Sequence, residues 1–318
     1  MKLLIKSILL FNFLLFHLNG FCGEKEKLKI GIYIEDIYNI DYKSSSYEIV
    51  FWVWINSKDS TYKIANILDI NNATEVNFSL ESNYYLLDKQ YHQEAKVTAK
   101  ILNIFNVTAF PFDMQTLIFK PELAISCEEA EIFYDDENSR LKPERIEDWK
   151  IDNDIFISKE KFQYQSNFGN TDLKNNPQFE SLVIKINLSR KSMGLFSKFF
   201  LTLFISILLA SCSILLPNRC SEEKFGLIVG SLFTSIGNKY ITDDLLPLSD
   251  SYNLSDSIHI LTFLFISAIA IFAIVEQRYK MEDNLKRDWL LFYSTVIAYV
   301  LLIICTSYYF FIQYGHVN

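Results

Sequence analysis

Cysteine spacing of the metal or redox kind is missing from this chain. Its five cysteines, Cys22, Cys127, Cys212, Cys220 and Cys305, form no Cys-x-x-Cys or Cys/His cluster, so neither a metal site nor a disulfide framework is expected. The four histidines, His17, His92, His259 and His316, are scattered. No Ser/His/Asp spacing goes with them, so no catalytic residue and no cofactor is assigned. No basic tract occurs and the formal net charge is −8, so nucleic acid is not an expected partner. The carboxylate clusters Glu128-Glu129-Glu131 and Asp135-Asp136-Glu137 read as solvated turns, with a Ca²⁺ site as the open alternative. Charge itself is scarce in four long stretches, 193–216, 225–246, 257–275 and 289–313, whereas 24–191 holds most of it.

What is present divides into three parts. Residues 1–22 read as a signal peptide: Lys2 and Lys6 precede the apolar run Ile8–Leu18, and small residues follow near Gly20 and Gly23. That run falls short of the roughly 20 residues a membrane span needs. Residues 24–191 carry repeated strand signals at Lys29–Ile40, Tyr47–Ile55, Ala95–Phe105, Thr116–Phe119, Ala130–Tyr134, Trp149–Ile157 and Leu182–Leu188. Clusters such as Asp41–Ser46, Asn71-Asn72 and Asn175-Asn176-Pro177 separate them. Many short strands at that spacing predict a β-sandwich. Residues 192–318 hold the four apolar stretches. The expected fold class is an all-β extracellular or periplasmic sandwich followed by an all-α four-helix transmembrane domain.

Loop charge predicts the orientation. The connections 217–224 and 276–288 contain Arg219, Lys224, Arg278, Lys280, Lys286 and Arg287, while 247–256 has no Lys or Arg. The positive-inside bias puts the first two in the cytoplasm. Residues 24–191 then lie outside, in agreement with the signal peptide.

The second stretch is the most polar of the four. On a helix, Glu223, Gly226, Gly230, Phe233, Gly237, Tyr240 and Asp244 recur at steps of three and four and share one face. Copies around an axis would turn Glu223 and Asp244, with help from Glu222, into acidic rings that attract cations, and Phe233 into a ring that gates by dewetting. Lys224 and Lys239 are expected to face away from that axis, Lys239 toward Asp243. Gly226-x-x-x-Gly230 equally fits a helix-packing motif, and both readings stand at this point.

The layout resembles the pentameric ligand-gated ion channels, the Cys-loop receptor superfamily, in bacterial form. Four pieces carry the resemblance: Phe110-Pro111-Phe112-Asp113-Met114-Gln115, Ser189-Arg190-Lys191, Glu222-Glu223-Lys224 followed by a span ending in Leu245-Leu246-Pro247, and the short connection from Gln277 to Asp288. Together they cover nearly the whole mature chain. The chain departs from animal members in holding Asn103 and Leu117 where those have bridged cysteines. It also lacks the usual proline in the first membrane helix. The Trp54–Phe110 region is about 20 residues short by visual alignment, and no ligand-binding residue is assigned.

The resemblance implies a pentamer in the inner membrane, a homopentamer or a heteromer, and the acidic rings imply selectivity for cations, monovalent ones being expected. A small extracellular ligand or protons would open it. It also implies a coupling zone. Asp113 and Arg190 would form a buried ion pair, with Asp41 or Lys43 beside it. Phe110, Pro111 and Phe112 would sit at the membrane end, and Leu246 and Pro247 would receive the push. The competing reading is a non-conducting, membrane-anchored sensor or binding protein.

Overall fold

The computed structural model describes residues 25–86, 90–127, 130–142, 146, 149–166, 169, 178–190, 192–246 and 252–314. The expected signal peptide and Pro247 lie outside the described residues.

The N-terminal part is built of strands in two sheets. One has the order β4 (Ala73–Tyr85), β5 (Tyr91–Leu102), β2 (Ser46–Ser57), β1 (Glu26–Asp41) and β8 (Ala130–Tyr134), with β9 (Arg140–Leu141) also on β1. The other runs β10 (Trp149–Gln163), β11 (Gln178–Arg190), β7 (Pro121–Leu123) and β3 (Leu68–Ile70), with β6 (Met114–Phe119) also on β11. Period-two alternation explains why β2 is a strand. Tyr47, Ile49, Phe51, Val53 and Ile55 are all buried, and the residues between them are only partly so. Val183, Ile184, Ile186 and Leu188 of β11 are likewise buried. The two sheets enclose a common apolar core in which Phe51 meets Phe119 at 4.8 Å between ring centroids. Gly31 faces Trp54 across β1 and β2, and a Cβ there would come within 2.1 Å of the indole. The ring occupies the space of the missing side chain, so only glycine fits.

Four long helices follow: α1 (Ser192–Cys212), α2 (Ser221–Leu245), α3 (Leu254–Arg278) and α4 (Leu285–Tyr314). Among the described residues, three helices are long and apolar enough to cross a membrane, at 193–215, Leu254–Arg278 and Leu285–Tyr314. Helix α2 is not in that set. It contributes Ile228 to a core otherwise made by residues such as Phe200, Leu203, Ile258, Ile266 and Tyr299. Asn253 caps α3. Its side chain accepts from the Asp256 backbone N–H at 2.8 Å, and the Asp256 carboxylate accepts from the Asn253 N–H at 3.2 Å.

Two expectations shift. Strands β3, β4, β7 and β9 join the predicted set. The second helix starts at Ser221, not Phe225, so Glu222, Glu223 and Lys224 form its first turn. Carboxylates favour the positive end of a helix dipole, which suits Glu222 and Glu223 to that turn.

Candidate functional site

Helix α2 has two unlike faces. Glu222, Glu223, Gly226, Gly230, Phe233, Gly237, Tyr240 and Asp244 are all exposed, Phe233 at 69% and Tyr240 at 75%. A Cβ on Gly226, Gly230 or Gly237 would meet nothing within 4 Å. The structure therefore brings together the whole face predicted from the 3–4 spacing. The glycines are not used for packing inside this chain.

The opposite face is a buried polar stripe of Lys224, Ser231, Ser235, Asn238 and Thr242. Ser206 of α1 donates to the Ser231 carbonyl at 2.6 Å, and its hydroxyl lies 2.7 Å from that of Ser235. Asn238 donates to the Phe199 carbonyl at 2.8 Å, and its side-chain oxygen lies 3.0 Å from His259 Nε2 on α3. Buried polar groups need such partners. The spacing 231, 235, 238, 242 carries this stripe in the sequence.

The two ends of α2 carry different ion pairs. At the N-terminal end Lys224 Nζ lies 2.7 Å from Glu276 Oε2, and Arg287 Nη2 lies 2.6 Å from Glu276 Oε1. At the other end Lys239 pairs with Asp243 at 2.5 Å and also with Asp256 of α3. Both lysines thus face away from the open face, as expected. Asp244 is paired with Lys43 of the β1–β2 turn at 2.6 Å. That contact lifts the Lys43 ammonium above its ordinary 10.5, through the hydrogen bond first and the charge second.

The junction of the two halves centres on the loop before β6. The Phe110–Pro111 bond is cis. Asp113 is buried and accepts from Arg190 Nε at 3.1 Å, from Gln115 at 2.7 Å and from the Tyr42 hydroxyl at 2.5 Å. The guanidinium of Arg190 lies 4.1 Å from the centre of the Trp149 ring and 5.1 Å and 5.4 Å from those of Tyr42 and Phe110. Three rings and a carboxylate thus enclose one cation. Burial, and next the Asp113 charge, push the Tyr42 phenol well above its ordinary value. On the helical side Phe110 meets Phe199 at 5.7 Å and Phe112 meets Phe196 at 5.4 Å. The Leu254 N–H at the start of α3 donates to the Thr108 carbonyl at 2.8 Å. Leu246 is buried with the β-half core. A cleft of about 900 Å³ opens beside this cluster, lined by residues including Asp41, Lys100, Trp149, Arg190 and Phe199.

Asp41 and Lys43 stand on either side of Tyr42, which contacts the Asp113–Arg190 pair, and their own partners lie elsewhere. Asp41 closes its own turn, accepting from the Ser44 hydroxyl at 2.7 Å and the Lys43 N–H at 2.9 Å, and the Ser44 bond is the main cause of its lowered pKa. The residue between them, Tyr42, is the buried member of this turn and the one that reaches the pair. Tyr42 and Trp149 join the expected residues at the junction.

Further up the β half, Phe162, Tyr164 and Phe179 cluster where β10 ends and β11 begins, with centroid distances of 5.0–6.1 Å. Glu122 on β7 pairs in register with Ser181 of β11, is buried, and leaves Oε2 without a hydrogen-bond partner. Burial pushes its carboxyl up to about 7.

The chain matches no protein-family model and no curated protein at a significant level.

Proposed function

We propose that this chain is one subunit of a pentameric, cation-selective ion channel of the bacterial ligand-gated type. In this reading the two sheets form an extracellular sandwich, all four helices cross the inner membrane, and residues 1–22 are removed on export. The observation that carries the reading is α2. It is about 37 Å long at 1.5 Å per residue, enough to cross beside three apolar helices, yet its uncovered face begins and ends in carboxylates. Such a face is costly against lipid and suited to a watery passage. The junction supports the same reading. The loop Phe110–Asp113 touches α1, and Thr108 touches α3, where movement of the β half would be delivered.

The test is recording from purified protein in planar bilayers. Cation-selective unitary currents are expected. A lack of current under all stimuli, with α2 cross-linked to neighbours along its whole open face, would overturn the reading. Small amines and protons are the first stimuli to apply, because three rings and a buried carboxyl meet near the β10–β11 end. The pH series covers the interval between the ordinary 4.5 and about 7. Stability from burying Glu122 neutral is fully present below 4.5 and is lost as pH rises through about 7. The non-conducting sensor is the second reading, favoured by one observation: the open glycines at 226 and 230 would also accept a neighbouring helix. The same recording separates the two.

A further inference from the structure

Lys224 directly follows the two exposed carboxylates of α2, Glu222 and Glu223. Successive helix residues are about 100° apart around the axis. A lysine stem is long and flexible, so a free Lys224 ammonium would settle beside Glu223 and compensate it. The structure prevents this. Lys224 and Glu276 side chains are only 4% and 3% exposed, and they meet at 2.7 Å. The Lys224 ammonium also donates to Asn218 at 3.3 Å. The second Glu276 oxygen holds Arg287 at 2.6 Å, and Arg287 in turn holds Asp288 at 2.9 Å. Two cations and two carboxylates balance to zero in this cluster, and its lysine is turned away from the open face.

We propose that Glu276 is a positioning residue for ion selectivity: it draws Lys224 into the bundle and so leaves Glu223 uncompensated at the inner mouth. The inference rests on the channel reading above. Glu276 touches no permeating ion; it acts through Lys224. Without its carboxylate the buried ammonium would lose its counter-charge and move toward water, and the nearest exposed carboxylates are those of the mouth.

The experiment is the reversal potential under a salt gradient for wild type, Glu276→Gln and the double variant Lys224→Gln/Glu276→Gln. Glu276→Gln is expected to lower the cation-to-anion permeability ratio roughly fivefold, the factor for unit charges in contact in bulk water. The double variant removes the ammonium as well and is expected to regain the wild-type ratio. A merely structural link predicts the opposite, because the double variant breaks it equally. A conducting Glu276→Gln with the wild-type reversal potential overturns the proposal, as does a double variant as unselective as the single one. If Glu276→Gln does not assemble, Glu276→Asp takes its place. A smaller shift in the same direction supports the proposal and no shift overturns it. A wild type that passes no current overturns the channel reading and this inference together; a selective wild type with unshifted Glu276 variants overturns this inference alone.

Discussion

The N-terminal and C-terminal ends of α2, inner and outer in the proposed channel, handle the same ingredients in opposite ways. At the inner end a lysine is withdrawn into the bundle by Glu276, and Glu222 and Glu223 stay exposed, with no ion pair to either among the described residues. At the outer end the exposed carboxylate, Asp244, is held by a lysine that belongs to the β half. The difference separates two tasks within one helix. An uncompensated carboxylate attracts ions. A carboxylate bridged to another domain transmits position. On this account selectivity belongs to the inner end and coupling to the outer one, and each can be damaged without the other.

The largest expected effect lies at the outer junction. Arg190→Ala leaves Asp113 buried without its cation, a change that costs about 3–5 kcal/mol for buried pairs. It also empties the space between Trp149, Tyr42 and Phe110. Surface-expressed variant channels are expected to lose most of their stimulated open probability while the reversal potential of residual openings stays at the wild-type value. Arg190→Lys is expected to recover little, since a compact ammonium does not stack on the rings as the planar group does. Normal gating in Arg190→Ala would remove the junction from the mechanism.

Next come the two mouths. Glu223→Gln is expected to lower the cation-to-anion permeability ratio by roughly fivefold, on the same contact-charge scale, without altering the stimulus dependence. Asp244→Asn is expected to do the reverse, with a small change in selectivity and a shifted stimulus dependence. Equal selectivity losses in the two variants would erase the distinction between the ends. Between them, Phe233→Ala is expected to raise the resting leak and leave the permeability ratio unchanged, as a hydrophobic constriction predicts; an unchanged leak, measured before any stimulus, would place the gate elsewhere.

Legibility in the sequence followed the range of the interactions. The open face of α2 was readable because its residues recur every three or four positions, which is a local property of a helix. Strand β2 was readable because its apolar residues alternate. Strand β4 was not: it is an edge strand, and Thr74, Glu75, Asn77, Ser79 and Glu81 are exposed with only Val76, Phe78 and a few others half-buried. The Lys224–Glu276 pair joins residues 52 positions apart, and nothing local to either one announces it. The Asp113–Arg190 pair is 77 positions apart and was foreseen only through the family resemblance. The resemblance put Asp41 or Lys43 beside that pair, and the turn directs Tyr42 onto it.

The smallest expected effect falls on the Lys43–Asp244 bridge itself. Both side chains are largely exposed, at 65% and 77%, so water and salt screen their attraction. Lys43→Gln is therefore expected to leave assembly and selectivity untouched and to shift the stimulus dependence slightly. The bridge raises the Lys43 pKa above 10.5, so its contribution is fully present below that value and is lost only as pH rises through the raised one. Ionic strength is the gentler probe. Added salt should shift the stimulus dependence of the wild type in the same direction as Lys43→Gln, and should have less effect on the variant, because the variant has no bridge left to screen. If wild type and Lys43→Gln respond to salt alike, the outer carboxylate does not transmit position through Lys43. The contrast between the two ends of α2 would then rest on the buried Asp113–Arg190 cluster alone.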